Sequence, residues 1–334
     1  MSQLLLSAGN YLKQPFFFSS SFYLDPRNFQ IFQEDLSFDS LKKITAVALS
    51  GILGLLSIPA YFLGAGLIGL NACFNPQDFY LRQFNVITHP AAGPIKVATY
   101  NICGFEGGFP IIFGGMEPVA SRVDALAQKI LRADANIICL QEAQFTAVNS
   151  LGNSLASRYP YQYTHIGESG LFFPSGLAVF SDRPIDNPQY SPYEGTYFMN
   201  RGMFQFEVEG KTVITTHLSP GVCSHTREQE IPQIERLIPN DSRSITILGD
   251  FNQDMDRISN INKVAQESLL SSTITATNTF KWEKTGVDES EPAFESIDHI
   301  LSNRGRNLVI DPHYGLDSSE NPISDHLLIS AIIE

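Results

Sequence analysis

Ile247-Leu248-Gly249-Asp250-Phe251-Asn252 and, near the C-terminus, Ile323-Ser324-Asp325-His326 decide how this chain reads. Each string sets a carboxylate beside a second polar group at the end of an apolar run. Such runs read as buried strands, so the polar groups emerge where a strand stops. A strand end offering Asp, Asn and His together suits a reaction site better than a scaffold.

Working outward, the same ending recurs. The alternating run Ile95–Ile102 carries Asn101, and Ala135–Glu142 ends on Glu142. The run Lys211–Leu218 carries His217, and Ser296–Ser302 carries Asp298 beside His299. A lone Asp after a strand is usually a turn or cap residue. Six such ends in one chain are harder to dismiss, because packed strands would bring them to one rim. Further strands are expected at 176–181, 201–208 and 327–332. Helical spacing predicts a helix over 116–132, with Val119, Val123, Leu126, Ile130 and Leu131 on one face. Shorter helices are expected at 150–158 and 226–237. Strands that often follow strands, with few helices between, predict an α+β fold. The expected form is two packed, mostly antiparallel sheets with helices outside.

The first 94 residues have a different texture. The N-terminal 40 are aromatic-rich and read as irregular, without the pattern of an ordinary signal peptide. Ile44 to Leu70 then holds no charged residue, and about 20 such residues suffice to cross a bilayer. Leu56 lies inside this run, its glycines suit close helix packing, and Pro59 is expected to kink it. A kinked span and a re-entrant hairpin both fit, and so does a buried helix of a soluble protein. A connector at 71–94 follows, so the division expected is 1–94 and 95–334.

Of 22 basic and 35 acidic residues, five of each lie in 1–94, so 95–334 holds 17 basic against 30 acidic. An acidic surplus argues against avid contact with a nucleic-acid backbone. Four cysteines form no CxxC pair and fit no zinc spacing, which leaves them as small buried side chains. The chain has no nucleophile elbow and no phosphate loop. Carboxylates, amides and imidazoles remain. Oxygen donors suit Mg²⁺ or Mn²⁺, and imidazole beside carboxylate suits proton transfer or charge stabilisation. Together these groups suit metal-assisted attack of water on a phosphoester.

Thr99-x-Asn101, Leu140-Gln141-Glu142, Thr216-His217-Leu218, Gly249-Asp250-Phe251-Asn252, Ile297-Asp298-His299-Ile300 and Ser324-Asp325-His326 stand in this order. The series resembles the endonuclease/exonuclease/phosphatase superfamily over about 95–334. The resemblance implies a four-layered α/β-sandwich and Mg²⁺ dependence. It implies Glu142 as principal metal ligand, helped by Asn101, with Asp325 a further acidic ligand or structural partner. Asp250 would orient the attacking water and Asn252 would hold the phosphate. His217 would donate to a phosphate oxygen, and Asp298 would orient His326 as base or charge stabiliser.

Three features resemble the neutral sphingomyelinase branch: Arg158-Tyr159-Pro160-Tyr161 followed by Ser175 to Ile185, Met199-Asn200-Arg201-Gly202-Met203-Phe204, and the apolar run at 44–70. Arg201 stands where that branch implies a lysine for the substrate phosphate. The implied enzyme is a membrane-associated phosphodiesterase that cleaves sphingomyelin to ceramide and phosphocholine. A nuclease or phosphoinositide phosphatase of the same fold, or an inactive membrane-tethered binding module, are the alternatives. A phospholipid in a membrane is the expected partner, nucleic acid is not expected, and nothing in the sequence points to a protein partner.

Overall fold

The computed structural model describes residues 5, 7–16, 38–74, 78–85, 93–105, 116–167, 175–194, 200–220, 224–238, 244–253, 280–282, 293–295, 297–303, 305–310 and 323–334. Residues 75–77 and 86–92 of the connector, and 106–115 after β2, lie outside these residues.

Seven strands build one sheet: β1 (Tyr80–Gln83), β2 (Ile95–Asn101), β3 (Ile137–Gln141), β4 (Tyr161–Ile166), β5 (Leu177–Ser181), β13 (Gly305–Ile310) and β14 (Ile329–Ile333). Their spatial order is β1-β4-β5-β3-β2-β14-β13. A second sheet takes β6 (Asp186–Pro192), β7 (Gly202–Val208), β8 (Lys211–His217), β9 (Ile245–Asp250) and β12 (Asp298–Ser302), in the order β12-β9-β8-β7-β6. A small ribbon pairs β10 (Phe280–Trp282) with β11 (Ala293–Glu295). Both large sheets are mixed, with β2 parallel to β3 and β8 parallel to β9.

Strand alternation explains the layering. In β2, Val97 faces the second sheet and joins Cys139, Val179, Phe204, Phe206, Val213 and Leu248 between the sheets. Its neighbours Ala98 and Tyr100 face the other way, against α2 (Val119–Ala133) and α3 (Phe145–Leu155). On the far side, Ile214, Ile247 and Leu301 pack under Ile231 and Ile234 of α4 (Ser224–Glu235). The result is helices, sheet, sheet, helix.

The apolar run forms one helix, α1 (Phe38–Phe74), which contains Ile44, Leu56 and Leu70 and continues through Pro59. Its segment Gly51–Leu70 is long and apolar enough to cross a membrane. Residues 7–16, read from sequence as irregular, are helical. They pack on α1 so closely that a Cβ on Gly64 would meet the Gly9 carbonyl oxygen at 2.4 Å. β1 lies within the stretch expected as connector, yet it pairs with β4 as an edge strand of the larger sheet.

Candidate active site

Register brings the site together. In the second sheet Asp250 pairs with His217 on one side and Asp298 on the other, so three site residues stand in one row. In the first sheet Asn101 pairs with Gln141, which places Glu142 one step beyond the strand end. Both rows end at the same pole. Gly249 makes the row possible. Its φ is +150° and a Cβ there would lie 2.0 Å from the Thr216 carbonyl oxygen, so no larger residue fits. Glu142 and Asn252 themselves adopt left-handed backbone, at φ 52° and 50°. Such conformations cost energy and concentrate where a side chain must be aimed.

Asp250 is the hub. Its Oδ2 accepts from Asn101 Nδ2 at 2.9 Å and lies 3.3 Å from His217 Nε2 and 3.8 Å from His326 Nε2. Its Oδ1 accepts the Asn252 backbone N–H at 2.8 Å. Asp298 Oδ2 lies 2.7 Å from His326 Nδ1, the partnership expected from sequence. The Ser324 hydroxyl donates to the Asn101 carbonyl at 2.7 Å and accepts the His326 N–H at 3.1 Å, fixing that histidine against β2. Glu142 Oε1 stands 3.9 Å from His217 Nε2, and Asp325 Oδ1 stands 4.0 Å from His326 Nε2. Arg201 is buried at the same pole, where Glu142 and Asp250 are acids within electrostatic reach. All the expected polar site residues therefore gather at one end of the sandwich. Asn252 differs from the rest in having a clear structural role. Its Nδ2 donates to the Leu218 carbonyl at 2.9 Å, tying the ends of β8 and β9.

Burial and charged neighbours together set the protonation states. Burial alone would raise the Asp250 carboxyl, but His217, His326 and the Asn101 amide hold it below the usual carboxylate range. For His326, burial works against charge, and the acids Asp298, Asp325 and Asp250 outweigh it, lifting it well above an ordinary histidine. Burial, with Arg201 adding to it, lowers His217. Burial and Glu142 raise Asp325 to about 6, against the pull of His326. These directions favour a carboxylate at Asp250, an imidazolium at His326 and a neutral imidazole at His217.

Arg122 was not picked out from the sequence. It lies in α2 between Val119 and Val123, inside the apolar stripe, and it is fully buried. Its guanidinium donates to the carbonyls of Glu117 at 2.8 Å, Ile102 at 3.1 Å and Cys103 at 2.6 Å, and to that of Ile323. One side chain thus fastens the segment after Asn101 to the segment before Ser324. The available signal was a charge inside an apolar stripe, which needs internal acceptors. Arg227 plays a similar part on the other sheet, donating to Gln253 Oε1 at 2.8 Å and to the Asn252 carbonyl.

The donor set suits a divalent cation. Ligand atoms of Asp250, Asp298 and His326 lie within 4.8 Å of one another. Those atoms already bond among themselves and to Asn101, which makes the triple a better catalytic network than a cation cage. Asp325 Oδ1 is buried without a hydrogen-bond partner among the described residues, and the Glu142 side chain is 21% exposed at the rim. These two carboxylates supply the hard oxygen donors that such an ion prefers.

Comparison with solved structures shows the fold. SmcL superposes with a TM-score of 0.53 at 19% identity, over 73% of this chain and all of that one, 100%. Beta toxin 275-280 from Staphylococcus aureus gives 0.52 at 17% identity, covering 72% of this chain and 100% of its own. Humanized D. rerio TDP2 gives 0.54 at 13% identity, covering 72% and 99%. No curated protein sequence matches the chain. The Endonuclease/Exonuclease/phosphatase family matches residues 98–326, well over half the chain, from β2 through His326, and the chain belongs to that family.

Proposed function

We propose that this protein is a Mg²⁺-dependent phosphodiesterase that acts on a membrane phospholipid, hydrolysing sphingomyelin to ceramide and phosphocholine. The carrying observation is the buried Asp250 carboxyl between two histidines at the rim of a domain joined to an apolar helix. Similarity to SmcL and to beta toxin supports the fold on which this reading stands. A beta toxin variant from Staphylococcus aureus with bound magnesium ions, similar at a TM-score of 0.50, supports the choice of metal.

In this reading Glu142 and Asp325 would hold the cation, with Asn101 assisting. When bound, it would supply positive charge toward the phosphoryl oxygens and the attacking water. Asp250 stays ionised and accepts a hydrogen bond from the attacking water, orienting it. His326, kept protonated by Asp298, faces the charge that builds on the phosphoryl group as water adds. Neutral His217 has Nε2 turned to Asp250, and Arg201 supplies a fixed positive charge for the substrate phosphate.

The test is a panel of sphingomyelin, plasmid DNA, a phosphoinositide and a small soluble phosphodiester, each with Mg²⁺ or with chelator. Sphingomyelin cleavage that chelator abolishes is expected. Cleavage of DNA or phosphoinositide with sphingomyelin intact would move the protein to another branch of its family, in line with its similarity to D. rerio TDP2. No cleavage of any member would point to an inactive binding module.

A further inference from the structure

α1 has two unlike faces. Ser57, Tyr61, Ala65 and Ile68 form a buried stripe, closed by the helix at 7–16 through Gly9 against Gly64 and Phe16 against Tyr61, whose rings stand 5.0 Å apart. The opposite face is open. Nine of the twelve large apolar side chains exposed among the described residues belong to α1, including Leu53, Leu55, Leu56, Phe62 and Leu63. The window Gly51–Leu70 carries no charge that would prefer water. An open, uncharged apolar face of this size matches the hydrocarbon of a bilayer.

The place where this helix joins the catalytic domain follows from strand register. Leu140 of β3 pairs with Ala178 of β5, so the catalytic end of β3 meets the start of β5. Leu177 pairs with Ile166, the last residue of β4, and Thr164 of β4 pairs with Tyr80, the first of β1. The start of β1 therefore lies at the catalytic pole. Ile68 of α1 packs with Tyr80 there. A chain of aromatic rings completes the join: Tyr11 meets Phe145 at 5.4 Å, Phe145 meets His165 at 5.4 Å, and His165 meets Tyr80 at 5.9 Å. Phe145 is three residues beyond Glu142. The far end of the chain lies at the other pole, since Ile333 pairs with Ile95, the first residue of β2.

We infer that the open face of α1 is buried in a lipid bilayer and that its junction turns the catalytic pole toward that same bilayer. The site then works on lipid of the membrane that holds the protein. This rests on the membrane-phospholipid reading above and adds an orientation to it. The two poles are a strand length apart, roughly 20 Å for six residues, which is enough to separate a lipid-facing side from a solvent-facing one.

The full chain can be made with a fluorescent amino acid in place of either of two exposed residues. Glu228 is on α4 beside Arg227, which reaches the Asn252 carbonyl at the catalytic pole. Arg132 is in the last turn of α2, just before Asn136, whose N–H bonds Lys96 at the opposite pole. Each chain is floated with vesicles of phosphatidylcholine and sphingomyelin containing a lipid with a nitroxide headgroup. The probe at 228 is expected to lose most of its emission and the probe at 132 to keep most of it. Equal quenching, or stronger quenching at 132, in a chain that floats would overturn the orientation and leave the membrane reading intact. A chain that cleaves the soluble phosphodiester but does not float would overturn both.

Discussion

At the pole opposite the catalytic rim, Asp182 lies between two arginines. Arg183 Nε stands 2.7 Å from its Oδ1, Arg158 Nη1 stands 2.9 Å from its Oδ2, and Asn136 donates to Oδ2 at 2.8 Å. Arg183 also pairs with Glu209, and Arg158 with Asp134 at 3.3 Å. At the catalytic pole, Asp250, Asp298 and Asp325 are paired with histidines instead. Arginine is always charged, so the Asp182 cluster is fixed at every ordinary pH. Histidine can gain or lose its proton, so the charge of an acid-rich rim held by imidazoles can change. Satisfied charge marks the scaffold end, and adjustable charge marks the working end.

Replacing the hub should break that contrast most severely. Asp250→Asn keeps the shape and removes the charge between His217 and His326. Turnover is expected to fall by about 10³-fold, within the range for a lost electrostatic group at the reacting centre, while circular dichroism stays native. Retained turnover would remove Asp250 from the chemistry.

Asp298→Asn should act less strongly and through pH. Wild-type His326 is raised above its unfolded value, so the stability it contributes is full below the ordinary histidine pKa and fades as pH rises through the folded one. Without the Asp298 charge that fading begins at lower pH. The alkaline limb of the turnover–pH profile should move down with it, by about one unit if the lost pairing is worth about 1.4 kcal/mol. An unmoved limb would show that Asp298 does not set the protonation of His326.

The smallest effect on activity belongs to the other pole. Asp182→Ala removes the buried carboxylate that Arg183 and Arg158 share, which should cost about 3 kcal/mol of stability. Turnover of the folded protein should stay close to wild type. Asp182 is held below the usual carboxylate range, because its arginines and Asn136 outweigh burial. Its contribution is therefore present above the ordinary carboxylate pKa and disappears as pH falls through the folded one. Denaturant melts of wild type and variant should converge in acid. A large loss of turnover in the variant would mean that the two poles are coupled.

Much of this was legible in the chain. The runs ending at Asn101, Glu142, His217 and Asp250, and the one that starts at Asp298, are strands or strand ends, because each is a stretch of largely buried β-formers. The Asp298–His326 pair was expected and is present. The elements that escaped share a weak apolar signal. β6 reads Asp186-Asn187-Pro188-Gln189-Tyr190 and is an edge strand largely open to solvent. β4 reads Tyr161-Gln162-Tyr163-Thr164, and its buried Gln162 is tolerable only because Gly152 and Tyr159 offer carbonyls at 2.7 and 3.1 Å. α3 starts at Phe145 rather than near Ser150, since its first turn follows so closely on β3 that it reads as loop.

The sequence by itself determined the residue types at each strand end, their order, and the uncharged run at 44–70. Those depend on local periodicity and on what water will accept. The tertiary structure decided which ends meet. Asp250 became the hub because register set it between His217 and Asp298 and packing of the two sheets brought Asn101 against it. Arg122 joined the site because its acceptors come from segments some 20 and 201 residues away. Sequence periodicity carries the faces of single elements, while contacts across such distances exist only once the sheets are stacked.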